Sequence, residues 1–257
     1  MLDLATDGIF AALPTATDLV LVALAAVAGS LLSALTGSGA GVVLSIALLP
    51  VVGVRAIVPI LSIAMVVSHI GRLYAFRHQV NWRAGATLVL LALPGSVVGA
   101  MIYARLPERA TAAVLGVFLL GLMALRAVRP ALEVKLPPLA FAAAAILFGL
   151  LNGLTIGAGI LVLPLLMFFG LAGVTLVATD ALVGLGLNLS KAVSLGLFDV
   201  VTPRLVVYGI AVGCLTVPGA FIARALIERL SLRTHTRLID ATIMVAAASM
   251  LWRAAAG

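Results

Sequence analysis

The sequence predicts an all-α polytopic membrane protein built from two inverted-topology repeats, each of about five helical segments. Three observations carry this: long apolar runs, two matching glycine-rich breaks, and a shared order of motifs around them. The chain has 257 residues, 64% hydrophobic and 10% charged, with a mean hydropathy of +1.30. Soluble domains carry about 25% charged residues, so an ordinary globular fold is excluded. Several runs reach the roughly 20 apolar residues that cross about 30 Å of hydrocarbon. Their continuity excludes a β-barrel, whose strands alternate polar and apolar positions.

Taken in order, Ala16 to Leu35 predicts a first span, which Thr36-Gly37-Ser38-Gly39-Ala40-Gly41 breaks. Each Gly costs about 1 kcal/mol relative to Ala inside a helix. Within a bilayer, broken backbone is tolerated only against protein or a polar cavity. Val42 to Val52 is too short to cross alone, so it reads as a half-helix or as one arm of a re-entrant hairpin. Ala56 to Phe76, Ala84 to Ala104 and Ala110 to Leu125 follow as spans. Arg129 to Pro138, with two adjacent prolines, is the expected central linker between a first repeat, 1–128, and a second, 139–257.

The second half repeats the plan. Leu139 to Gly153 spans, Thr155-Ile156-Gly157-Ala158-Gly159 breaks the chain, and Ile160 to Phe169 is again short. Gly173 to Leu197, Leu205 to Ala223 and Leu238 to Trp252 complete it. Gly41 and Gly159 stand 118 apart, while Leu93-Pro94-Gly95 and Val217-Pro218-Gly219 stand 124 apart. If the short arms cross, each half has an odd number of segments and the second is inserted upside down; if they re-enter, the span count falls from ten to eight. With the acidic N-terminus (Asp3, Asp7, Asp18) outside, the larger share of Arg and Lys lies in the cytoplasm.

The formal charge of +7 is scattered between apolar runs, so it reports topology rather than a nucleic-acid surface. Cys214 is alone, so neither a disulfide framework nor a thiolate metal site is available. His69, His78 and His235 lie in separate segments with no metalloprotease-like spacing, so no catalytic residue, metal or cofactor is expected. No basic residue precedes Arg55, which argues against a cleavable signal.

Two breaks at matching places in two halves point to a binding site. Arg72 and Lys191 fall inside apolar segments, 119 apart, with His69 and Asn188 three residues before them on the same helix faces. An intramembrane cation costs at least about 2.5–3.5 kcal/mol. It faces a cavity or a partner, or else snorkels to the surface. Half-helices beginning near Val42 and Ile160 would add free N–H groups and positive dipole ends. All of this favours an anion. The candidate binding residues are Gly37, Ser38, Gly39, Ala40, Gly41, Thr155, Gly157, Ala158, Gly159, His69, Arg72, Asn188 and Lys191. Asp180 lies deep in an uncharged run; it either accepts a coupling proton, as His69 could, or pairs with Lys191 or a backbone group.

The two glycine stretches resemble those of the TSUP family, the TauE/SafE sulfite and organosulfonate exporters. The second half keeps that family's pattern as Gly157-Ala158-Gly159, Pro164 and Gly170. The first keeps Gly37-Ser38-Gly39-Ala40-Gly41 and Gly53, with its proline displaced to Pro50. Ala40 and Ala158 replace the middle glycine of the usual triplet. Asn188-Leu189-Ser190-Lys191 resembles the family's second-half polar stretch, and Val80-Asn81-Trp82-Arg83 its Val-Asp-Trp-Arg turn, with Asn81 at the acidic position. The resemblance runs from Leu19 to Trp252. It implies a multi-pass secondary transporter of the bacterial inner membrane that moves small sulfur-containing anions such as sulfite, thiosulfate or organosulfonates by alternating access, with proton coupling. An anion channel, or a transporter of another small carboxylate or oxyanion, stands as the alternative. The expected partners are the anion, the lipid bilayer and a second copy in a homodimer, with no nucleic acid.

Overall fold

The structure is a computed structural model that describes residues 16–36, 40–107, 110, 113–114, 117, 137–156 and 158–226. Among them are seven α-helices and no strand: α1 (Ala16–Thr36), α2 (Ala40–Phe76), α3 (Trp82–Arg105), α4 (Pro138–Leu154), α5 (Val162–Met167), α6 (Gly173–Leu197) and α7 (Pro203–Leu226). A 3-10 turn, Ala158–Leu161, leads into α5. Val43–Phe76 of α2, all of α3 and all of α6 are long and apolar enough to cross a membrane. Val20–Leu31, Pro138–Leu154 and Pro203–Gly219 are shorter apolar stretches. Leu90, Leu139, Leu197 and Val207 are exposed along these helices, as side chains facing acyl chains would be. The expected spans at Ala110 to Leu125 (isolated helical positions apart) and Leu238 to Trp252 lie outside the described residues, as does all of the linker except Pro137 and Pro138.

The two short arms take different forms. Val42 to Val52 and Ala56 to Phe76, expected as separate segments, belong to one helical run interrupted at Gly53 (φ 71°, ψ 170°). That conformation is essentially confined to glycine. Ile160 to Phe169 is instead the 3-10 turn and the six-residue α5, closed at Gly170 with φ 72°. Beyond the Gly53 kink, Pro59 has no N–H to give the Arg55 carbonyl four residues earlier. The Tyr103 hydroxyl donates to that carbonyl at 2.8 Å.

Asn81 sets the start of α3. Its side-chain oxygen accepts from the Ala84 N–H at 3.0 Å, and its own N–H donates to Thr179 Oγ1 on α6 at 3.0 Å. Asn and Asp cap helices about equally well, so Asn81 serves where an acidic residue was the expectation.

Small residues decide how the helices cross. Gly95 and Gly99 of α3 face Gly149 and Gly153 of α4 with the backbones in contact. A Cβ on Gly149 would lie 1.9 Å from the Ala92 carbonyl oxygen, and one on Gly95 would lie 2.0 Å from that of Ile146. Where lipid removes the hydrophobic drive to associate, such close approach supplies the packing energy. At the α1–α7 crossing, a Cβ on Gly219 would meet Ser30 Oγ. Among the described residues, the larger apolar cores are two: one joins α1, α2 and α7 through Ala26, Leu44, Ile57, Ile60 and Val212, and the other joins α3 to α6 through Leu88, Phe148, Leu166 and Leu187.

Candidate functional site

The two glycine breaks meet. A Cβ on Gly41, at the start of α2, would touch Ile156 Cγ2, just past the end of α4, at 3.2 Å. Beside this junction lies a cavity of about 80 Å³, walled by α2, α6 and the end of α4. A single water occupies roughly 10–15 Å³ of such space, so several waters or one small oxyanion would fit. Of the candidate residues, Ala40, Gly41, Thr155, Gly159, His69, Asp180, Asn188 and Lys191 line it. Ala158 is buried nearby without lining it. Gly37, Ser38, Gly39 and Gly157 lie outside the described residues.

Arg72 does not line the cavity. Its guanidinium is buried between helices, where Nη2 donates to Asp180 Oδ2 at 2.8 Å and to the Val177 carbonyl at 3.1 Å. Neither snorkelling of Arg72 nor an Asp180–Lys191 pair describes this arrangement. The two residues are 108 apart in sequence, and the packing of α2 on α6 is what joins them. Removing one member of such a buried pair costs about 3–5 kcal/mol, because the other is left uncompensated.

Lys191 is equally buried, yet among the described residues no carboxylate lies within ion-pair reach of it. Its Nζ donates to the Thr155 carbonyl at 3.2 Å. That carbonyl sits at the C-cap of α4, where the helix ends and its last carbonyls lose their intrahelical partners. The break in the chain thus frees an acceptor at the negative end of a helix dipole, and the cation takes it. The other ammonium protons remain for whatever occupies the cavity.

His69 and Asn188 are tied down in the same manner. His69 Nδ1 donates to the Met65 carbonyl at 2.5 Å, since a carbonyl can only accept, and Asn188 Nδ2 donates to the Gly184 carbonyl at 2.8 Å. Each bond runs back one turn and fixes its side chain. The His69 ring lies over Gly184, where an added Cβ would stand 2.0 Å from Nε2. Glycine there is required by the close approach of the ring.

The expectation of two half-helix ends aimed at the centre needs correcting. α2 does begin at the cavity, with Ala40 and Gly41 in its lining. Its counterpart is a 3-10 turn before six residues of α-helix, too short to develop much macrodipole. Sequence reasoning also missed Ser62 and Asn152, which both line the cavity. Asn152 is a polar amide in the otherwise apolar α4, and that was a usable signal; the serine gave none.

A family model described as Sulfite exporter TauE/SafE matches residues 21–250. No curated protein and no solved structure matches the chain. With apolar helices of membrane-crossing length, and with the match covering nearly the whole sequence, the chain belongs to the TauE/SafE sulfite exporter family, a family of membrane transporters and not of enzymes.

Proposed function

We propose that this protein is a secondary carrier that moves small sulfur-containing anions such as sulfite, thiosulfate or organosulfonates across the bacterial inner membrane by alternating access. One observation carries the reading: a buried cation, Lys191, lines a cavity of oxyanion size without an ion-pair partner among the described residues, since Asp180, the carboxylate in the same lining, is paired with Arg72. A buried charge needs a counter-charge, and a small anion supplies it. His69, Asn188, Thr155 and the start of α2 contribute polar groups around that charge.

In this reading 1–128 and 139–257 are inverted repeats joined by 129–138, and the helix crossings support it. Gly85 of α3 packs on Leu182 of α6, as Gly209 of α7 packs on Ile63 of α2. Gly85 and Gly209 stand 124 apart, and Ile63 and Leu182 stand 119 apart, the same offsets that relate the proline and cation pairs. α3 packs on α4 as α7 packs on α1. α3 of the first half and α7 of the second thus each pack into the other half's core, an arrangement in which the two halves can rock around a shared site.

Pure protein in liposomes should take up labelled sulfite in a saturable manner, with uptake accelerated by unlabelled sulfite inside. Non-saturable flux with no such acceleration contradicts a carrier and indicates a channel.

A further inference from the structure

The turn that joins α2 to α3 exposes Arg77, His78 and Arg83. No Asp or Glu stands between Asp18 and Glu108, and among the described residues neither arginine pairs with a carboxylate. The turn has a fixed shape. The Gln79 N–H donates to the Phe76 carbonyl at 2.9 Å and the Asn81 N–H to Thr179 Oγ1 at 3.0 Å, while Val80 packs on Ala75, Phe76 and Ala178. Arg77 is itself positioned: its guanidinium lies over the Tyr74 ring, 4.8 Å from the centroid, and its Nε donates to His78 Nε2 at 3.1 Å. Both Nη groups of Arg77 are left to bind elsewhere, and His78 Nδ1 carries the proton of the neutral ring, because Nε2 accepts. The charged and ring groups of the turn thus face outward as donors.

The surface beside this charge is apolar. Ile70 and Tyr74 form an exposed row along α2 that runs up to Arg77, and Trp82, Ala86 and Leu90 form another along α3 that starts beside Arg83. Tyr and Trp at the ends of such rows mark the headgroup level of a bilayer. The arginines therefore stand where lipid phosphates lie. We infer that the α2–α3 turn docks the headgroup of an anionic phospholipid, with Arg77 and Arg83 on its phosphate and the acyl chains along the two exposed rows. Charge complementarity selects the lipid: a phosphatidylcholine brings its own cation, and no carboxylate in the turn meets it. An acidic protein would answer the charge but not the rows, which acyl chains cover. The site lies away from the cavity, so the inference holds whichever solute the carrier moves.

Trp82 reports on this neighbourhood. The chain has two tryptophans, Trp82 and Trp252, so the full-length Trp252→Phe protein leaves Trp82 as the only one. It is placed in vesicles of phosphatidylcholine and phosphatidylglycerol, with bromine near the headgroup end of the acyl chains of one lipid and then of the other. Phosphatidylglycerol should occupy the Trp82 neighbourhood about three- to tenfold above its share of the bilayer, read from quenching. Arg77→Gln with Arg83→Gln should remove that preference and leave the thermal midpoint in place, since both side chains are exposed. Concentrated sodium chloride should weaken the preference without any substitution at the turn, which keeps the test open if the double variant does not fold. Equal quenching by the two lipids, a preference that the double variant keeps, or one that salt leaves unchanged overturns the inference. Inorganic phosphate that erases the preference where sodium chloride of equal ionic strength does not would assign the arginines to a free oxyanion, and overturns the lipid site as well.

Discussion

Arg72 and Lys191 occupy equivalent places: each lies three residues beyond a polar side chain tied back to its own helix, and each is buried among apolar neighbours. Their surroundings differ. Arg72 bonds Asp180 and the Val177 carbonyl across the α2–α6 contact, whereas Lys191 bonds one carbonyl and faces the cavity. The residue types suit these tasks. A planar guanidinium holds a carboxylate and a carbonyl together, and an ammonium is a compact charge with protons to spare. Similar places therefore do not imply similar surroundings: one cation joins two helices, and the other faces a cavity, where we propose that it meets the anion.

The sharpest break of this comparison is Arg72→Met. It strands Asp180 and should lower stability by about 3–5 kcal/mol, read as a fall in the thermal midpoint in detergent. Adding Asp180→Leu should restore most of the loss, because a buried pair replaced as a whole is often neutral. A single variant as stable as the native protein contradicts the fastening role. Next in size, Lys191→Met should weaken sulfite binding by about ten- to hundredfold, the worth of a charge-assisted bond of about 1.5–3 kcal/mol, while the fold is kept. Smallest is Gly149→Ala, which forces a Cβ against the Ala92 carbonyl and should cost about 1–3 kcal/mol of overpacking. Because it touches neither cation, its anion affinity in folded protein should stay native. A drop as large as that of Lys191→Met would mean that loosened packing alone explains the binding loss.

Much of this was legible in the sequence. Gly173–Leu197 has the bounds its apolar run predicts, and the positions of Arg72 and Lys191 inside apolar runs marked both as buried or functional. Periodicity could not reveal the partner of Arg72. Asp180 lies 108 residues away, and only the packing of α2 on α6 brings it within reach. Lys191, one of the partners left open for Asp180, lies on the same helix but about 16 Å along it, and the two side chains bond different neighbours. The forms of the short arms were hidden for a local reason: Gly53 and Gly170 share a positive φ, but helix continues past Gly53 and stops before Gly170. Composition does not distinguish a kink from a stop. Asn152 was visible but outweighed by the glycines beside it.

The central claim is that Lys191, and not the Arg72–Asp180 pair, supplies the charge for the transported anion. Sulfite counterflow in liposomes, at equal pH on both sides so that no proton gradient is needed, tests it directly. The account predicts that Arg72→Met with Asp180→Leu retains most of the native exchange and that Lys191→Met loses it. Exchange that survives in Lys191→Met but vanishes in the double variant would contradict the claim.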